Sequence, residues 1–222
     1  GALSIICGAL LLSAYQPAQI ETISKPVAAG SLRTILRGRG FVLAVASGAV
    51  AFVVTSFVMT GTPISMHHTY GHSLVDTKWV IQSHIAAMFL PSLIAPLLFK
   101  WLGTRGLMTA GLGCYGTTIG IGYYDISVNG FWLQLVLLGV GWNFLFVAGT
   151  ALLPTSYRES DRFKAQAFND STVFSLQALA SLSAGWALNL ISWQQMLMLC
   201  AIPIRLMLLA LAWDLTRSAK AS

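Results

Sequence analysis

Charge is the scarcest thing in this sequence. Its 222 residues carry 13 Lys and Arg and only 7 Asp and Glu, 9% charged in all, where a soluble domain carries roughly 25%. A surface so poor in charge does not stay dissolved, which excludes a globular protein of the aqueous phase. Cysteine is nearly missing too. Cys7, Cys114 and Cys200 each sit in an apolar stretch with no CxxC partner and no metal ligand beside them. That excludes a disulfide framework and a cysteine metal site, and it reads the three as small buried hydrophobes. Runs of like charge are also lacking. The formal net charge of +6 is scattered between apolar blocks, so it reports membrane topology and not a nucleic-acid surface.

What is abundant is apolar. Hydrophobic residues make up 56% of the chain and mean hydropathy is +0.73, so the solvent facing most of it is lipid. Six apolar segments lie at 40–62, 79–101, 107–124, 131–153, 167–190 and 193–213. Each is long enough to cross a bilayer core of about 30 Å, which takes about 20 helical residues, and each ends at charge, Pro, Gly or Asn. Lipid offers backbone groups no partner, so a span is a helix or a barrel strand. Barrel strands alternate over about ten residues; these segments are continuously apolar for longer, which predicts an all-α integral membrane fold. Residues 1–14 are apolar but too short to cross, and they lack the basic region of a signal peptide; they read as the end of a truncated transmembrane helix. Residues 15–39, with Pro17, Pro26, Gly30 and Gly38, read as a cytoplasmic linker. Residues 40–214 form the six-helix unit and 215–222 a cytoplasmic tail.

The basic residues set the orientation. Lys25, Arg33, Arg37 and Arg39 precede the first full span. Lys100 and Arg105 follow the second, Arg158, Arg162 and Lys164 follow the fourth, and Arg217 and Lys220 follow the sixth. Of the loop residues, only Lys78 falls on the other side. The positive-inside rule therefore expects both ends of the six-helix unit in the cytoplasm of a multi-pass plasma (inner) membrane protein.

The gap after the second span reads Phe99-Lys100-Trp101-Leu102-Gly103-Thr104-Arg105-Gly106. Further along stand Thr62-Pro63-Ile64-Ser65-Met66, His72-Ser73, Val80-Ile81-Gln82-Ser83-His84, Met88-Phe89-Leu90-Pro91-Ser92 and Ala165-Gln166-Ala167-Phe168-Asn169-Asp170. The first resembles the short basic-glycine loop of the major facilitator superfamily, with Lys100 at its acidic position and Pro96 at its leading glycine. The others look like a bacterial subgroup of permeases in that superfamily. The resemblance covers nearly the whole chain. It implies helices seven to twelve, the C-terminal half of a transporter that moves a small solute by alternating access, with protons as the expected coupling ion. Its partners would be a missing N-terminal six-helix half and the lipid bilayer.

Within the spans, polar residues are the candidates. His84 is an ionisable group at membrane depth, which reads either as a proton relay or substrate contact or as a histidine bonded to a neighbouring helix. Gln82 lies about 200° around the helix from it, so the two cannot share a face. Asp170, Gln177 and Ser181 fall within about 40° of one another on the fifth span; the stripe faces a wet cavity or another helix, and the resemblance implies that this helix borders the pathway. Asp170 also follows Arg158, Arg162 and Lys164 closely, which suits an N-terminal cap or a cytoplasmic ion-pair gate. That gate would draw on Lys100, Arg105, Arg158, Arg162, Asn169 and Asp170. In the fourth span Gly139 and Gly141 allow close helix approach. Trp142 and Asn143 beside them either touch ligand or pack helices, and Gln134 lies about 180° from Asn143. His67, His68 and His72 read as a solvated outer loop rather than a metal site, and Arg205 is expected to snorkel or to pair with Asp214. No cofactor is expected. A membrane-embedded enzyme is the alternative class, but Ser171, Ser175, Ser181 and Ser183 lack the exposed turn a nucleophile needs. A self-pairing six-helix scaffold is the other.

Overall fold

The computed structural model describes residues 32–218. The truncated helix expected at 1–14, most of the linker at 15–39 and the last residues of the tail lie outside them, as does Cys7. The described chain is helical: α1 (Leu32–Leu36), α2 (Arg39–Pro63), α3 (Leu74–Phe89), α4 (Ala95–Tyr124), α5 (Val128–Leu152), α6 (Arg162–Leu188), α7 (Trp193–Leu199) and α8 (Ala201–Ser218). Cys200 is buried and Cys114 half-buried.

Among the described residues four helical runs are long and apolar enough to cross a membrane: Arg39–Thr69, Leu74–Tyr124, Val128–Ser156 and Trp193–Arg217. Two differences from the six expected segments have physical causes. The 51-residue run Leu74–Tyr124 would measure about 77 Å if straight, over twice a bilayer core. It is not straight, because Gly103 inside α4 takes φ 63° and ψ 175°, a left-handed turn open to glycine. Pro91 and Pro96 also break it, with a 3-10 segment over Leu90–Ile94, because proline removes a helical donor. The other difference is α6. Its 27 residues are long enough, but Arg162, Lys164, Gln166, Asn169, Asp170 and Gln177 keep it out of the apolar set.

The ends are set locally. Ser73, Ser127 and Ser192 each accept a backbone N–H from the first turn of α3, α5 and α7, and Gln195 completes a capping box at α7. These starts gather at one end of the bundle. His72 Nε2 meets the Ile126 carbonyl at 2.8 Å, Tyr70 and Gln194 join across helices, and Phe131 packs on Trp193. Asp125 lies in the same turns, and the Ser127 hydroxyl and backbone N–H hold its carboxyl below the usual carboxylate range. At the other end Arg105 Nε donates to Asp214 Oδ2 at 2.7 Å. Asp214 is therefore a partner of Arg105, which removes one of the two alternatives expected for Arg205, pairing with Asp214, and leaves the other, snorkelling.

Helix α5 is central, packed on α2, α3 and α4. Its contacts are close because glycine faces both neighbours. A Cβ at Gly139 would lie 2.7 Å from the His84 carbonyl on α3, and one at Gly141 would lie 2.6 Å from the Tyr115 ring on α4. Tyr115 is fully buried and its hydroxyl donates to the Ala51 carbonyl of α2 at 2.8 Å. Ser47 of α2 ties back to the Leu145 carbonyl of α5 at 2.7 Å.

Candidate functional site

A cleft with both aromatic and polar walls opens between α2, α5 and α6 and measures about 420 Å³. Gly48 forms its floor on α2, where a side chain would press on Val173. Gly149 lets α5 approach the α2 backbone, since a Cβ there would sit 3.0 Å from the Ala44 carbonyl. The walls are of two kinds. One is aromatic: Phe52, Phe146 and Phe174 line the cleft, and Phe52 meets the other two edge-on at 5.8 and 5.6 Å. Behind them Trp142 stacks on Phe146 at 4.7 Å with rings 11° apart, meets Phe52 edge-on at 5.3 Å and touches Phe89. The other wall is polar: Thr150, Gln166, Asn169 and Asp170. The Asn169 amide donates to Asp170 Oδ1 at 2.9 Å, and the Gln166 amide donates to the Tyr157 hydroxyl at 3.3 Å. The cleft thus sets aromatic rings tilted against one another beside a strip of hydrogen-bond donors and acceptors.

The sequence candidates divide. Asn169 and Asp170 line the cleft and Trp142 backs its aromatic wall. Asp170 stands in the third turn of α6, which starts at Arg162, so it does not cap that helix. Gln177 and Ser181 are half-buried on α6, and Thr60 of α2 donates to Ser181 Oγ at 3.4 Å. His84 is 1% exposed and its ring faces α5, with Nδ1 2.8 Å from the Leu135 carbonyl. It holds α3 to α5 and does not line the cleft. Gln82 is exposed on the opposite side of α3, as the helical angle requires. Asn143 does the same work as His84, donating to the Met88 carbonyl at 2.7 Å and Ser92 Oγ at 2.6 Å. Gln134, fully buried, lies against Gly122 of α4, where a side chain would collide with its amide.

The expected gate residues do not form one cluster. Arg105 is bound to Asp214, Arg162 reaches the exposed Glu159 at 3.4 Å, Lys100 and Arg158 are exposed, and Asn169 with Asp170 turns to the cleft. Sequence reasoning passed over Phe52, Phe146, Phe174, Thr150 and Gln166. A signal existed for one of them, Phe146. Trp142 and Phe146 are spaced i, i+4, which stacks aromatic side chains on one helix face. The others come from different helices, and only the fold brings them together.

The chain is 37% identical over 165 residues to the riboflavin transporter RfnT of Brucella anthropi, which spans 73% of this chain and 41% of that protein. It is 34% identical over 203 residues to YddS of Bacillus subtilis, an uncharacterised MFS-type transporter, across 85% of this chain and 45% of that protein. A second B. subtilis MFS-type transporter, YdeG, is 38% identical over 152 residues, 64% of this chain and 33% of its own length. The chain thus spans less than half the length of the relatives it matches. No protein-family model and no solved structure matches it. Long apolar helices together with two MFS-type relatives and a riboflavin transporter place the chain in the major facilitator superfamily.

Proposed function

We propose that the chain is the six-span C-terminal half of a secondary transporter, not an enzyme, and that its cleft is one side of a pathway for a small, flat, aromatic solute. The observation that carries this reading is the cleft itself. A membrane helix as polar as α6 needs a wet surface or polar partners, and α6 turns Asn169 and Asp170 to a cleft walled by phenylalanines. Counting α6 as a span and dividing the long run at Gly103 gives six. Riboflavin, the solute named for the Brucella relative, has the matching form: a planar ring system and a hydroxylated chain. In this reading an N-terminal half closes the open side of the cleft. Access alternates as the halves rock about the site, and Asp170 carries the coupling proton because it is the one ionisable side chain among the described residues that line the cleft.

The test is uptake of radiolabelled riboflavin by proteoliposomes carrying the longer polypeptide that contains this chain. Riboflavin should accumulate down an imposed proton gradient. Phe174, 55% exposed on the cleft side of α6, supplies stacking worth about 1 to 1.5 kcal/mol, so Phe174→Ala should raise KM about tenfold at similar kcat. No riboflavin uptake would remove this solute, and an unchanged KM would remove the aromatic wall from its recognition.

The basic residues support a cytoplasmic position for both ends of the six spans in the plasma membrane. In whole cells Tyr124→Cys, at the serine-capped end of the bundle, should react with an impermeant maleimide. Ser160→Cys, between α5 and α6, should react only after the cells are opened. The reverse pattern would invert the topology.

A further inference from the structure

Away from the cleft, the end of the bundle that carries the Arg105–Asp214 pair holds a second organised group of residues. Trp213, on the last turns of α8, is 47% exposed, the position of an indole anchored where apolar helix meets headgroups. Two guanidinium groups from different helices attend its ring. Arg217, one turn further along α8, places Cζ 4.7 Å from the ring centroid. Arg39, the first residue of α2, places Cζ 5.7 Å from the same centroid. Both arginines are exposed, and neither meets a carboxylate among the described residues. The acid nearest in sequence, Asp214, gives Oδ2 to Arg105 at 2.7 Å, so its charge is directed to the neighbouring helix and not to this pair. Arg33 and Arg37 are exposed just before α2 and deepen the positive field.

Two guanidiniums with no carboxylate partner among the described residues thus surround one interfacial indole. Guanidinium forks match phosphate oxygens in pairs, and contact with an aromatic face limits where each fork swings. The depth is that of lipid phosphates, because Trp213 ends an apolar span. A soluble anion would also face competition from bulk water and salt, whereas a lipid phosphate is held at this depth by its acyl chains.

We propose that Arg39, Arg217 and Trp213 form a binding site for the phosphate of an anionic phospholipid, clamped between the start of α2 and the end of α8. The site pins the first and last helices of the bundle to one lipid and is separate from the solute cleft, with which it shares no lining residue.

The experiment uses the full protein in nanodiscs of dioleoylphosphatidylcholine with a minor fraction of dioleoylphosphatidylglycerol, and counts retained lipids by native mass spectrometry. Wild type should retain phosphatidylglycerol in preference to phosphatidylcholine. Each arginine near the surface contributes enough that Arg39→Gln with Arg217→Gln should weaken retention about thirtyfold. Each single change should weaken it about fivefold, and Arg33→Gln should leave it within about twofold. The melting temperature in pure phosphatidylcholine should stay at the wild-type value, since both side chains are exposed; if the double variant melts early, the single variants carry the reading. Equal retention of the two lipids, or wild-type retention by the single and double variants, overturns the proposal. Inorganic phosphate is added alone as a second arm. If it displaces the lipid and binds wild type but not the double variant, the site belongs to a free anion and the lipid assignment falls.

Discussion

Gly141→Leu should destabilise the protein strongly. Helix α5 crosses α4 so closely here that a Cβ at Gly141 would lie 2.6 and 2.8 Å from two Tyr115 ring carbons and 3.0 Å from the Gly111 carbonyl. Tyr115 cannot step aside cheaply. It is 0% exposed, donates to the Ala51 carbonyl at 2.8 Å and shares a 2.9 Å hydrogen bond with Thr55, so it joins α4 to α2 beneath α5. Overpacking a closed core costs about 1 to 3 kcal/mol, and each displaced buried hydrogen bond adds about 1 kcal/mol or more. Together they reach about 3 to 5 kcal/mol, a large part of a typical stability of about 5 to 15 kcal/mol. At about 2 to 4 °C per kcal/mol for a chain of this size, the melting temperature should fall by about 10 °C or more. Much of the protein should elute as aggregate in size-exclusion chromatography. The control lies on α4, the helix that Gly141 faces: a Cβ at Gly113 meets nothing within 4 Å, so Gly113→Leu should melt near wild type. Comparable melting of the two variants would show that close approach at Gly141 does not hold the fold.

This contrast marks how far the sequence could be read. Gly139-Val140-Gly141 announced a close crossing, and the continuous apolar segments announced helices. Neither could say which neighbours approach, nor that one glycine faces α3 and the other α4, because that depends on the order of helices around α5. His84 shows the same limit in the candidate site. A histidine inside an apolar span reads as a relay or as a strut with equal economy. Only the placement of the Leu135 carbonyl 2.8 Å from Nδ1 assigns it to the α3–α5 contact. Asp170 was legible as polar and membrane-embedded, but its sequence neighbours, Arg158, Arg162 and Lys164, pointed to a cap or an ion-pair gate. The structure starts α6 early enough to put Asp170 in the third turn, beyond reach of the helix end. The aromatic wall was the least legible feature, since Phe52, Phe146 and Phe174 lie on three helices and none is unusual in an apolar sequence.

Asp170→Asn should abolish proton-driven accumulation in the longer protein while leaving solute exchange largely intact. Proton coupling needs a group that binds and releases H⁺ on the solute's route. From α2 the cleft is lined by Ala44, Gly48 and Phe52, and from α5 by Phe146, Gly149 and Thr150; none of these titrates. On α6 itself Gln166 and Asn169 are neutral amides, and Lys164 lines a separate surface groove with Phe168. That leaves the Asp170 carboxyl, which the Asn169 amide orients through its 2.9 Å contact. Asparagine has the shape of the protonated acid without its labile proton. The carrier should therefore cross with solute in both directions, as exchange requires, yet no longer draw energy from the gradient. Accumulation should drop to the level set by equilibration, and the pH dependence of uptake should flatten. His84→Gln provides the opposing case. It weakens the α3–α5 contact, so the melting temperature should fall by a few degrees, about 1 to 2 kcal/mol at the rate given above, with accumulation per folded molecule preserved. Measuring accumulation, exchange and melting on one preparation of each variant separates the roles. If Asp170→Asn still accumulates solute with wild-type pH dependence, Asp170 is not the coupling group. If accumulation vanishes in His84→Gln while melting is unchanged, the proton passes through α3 instead.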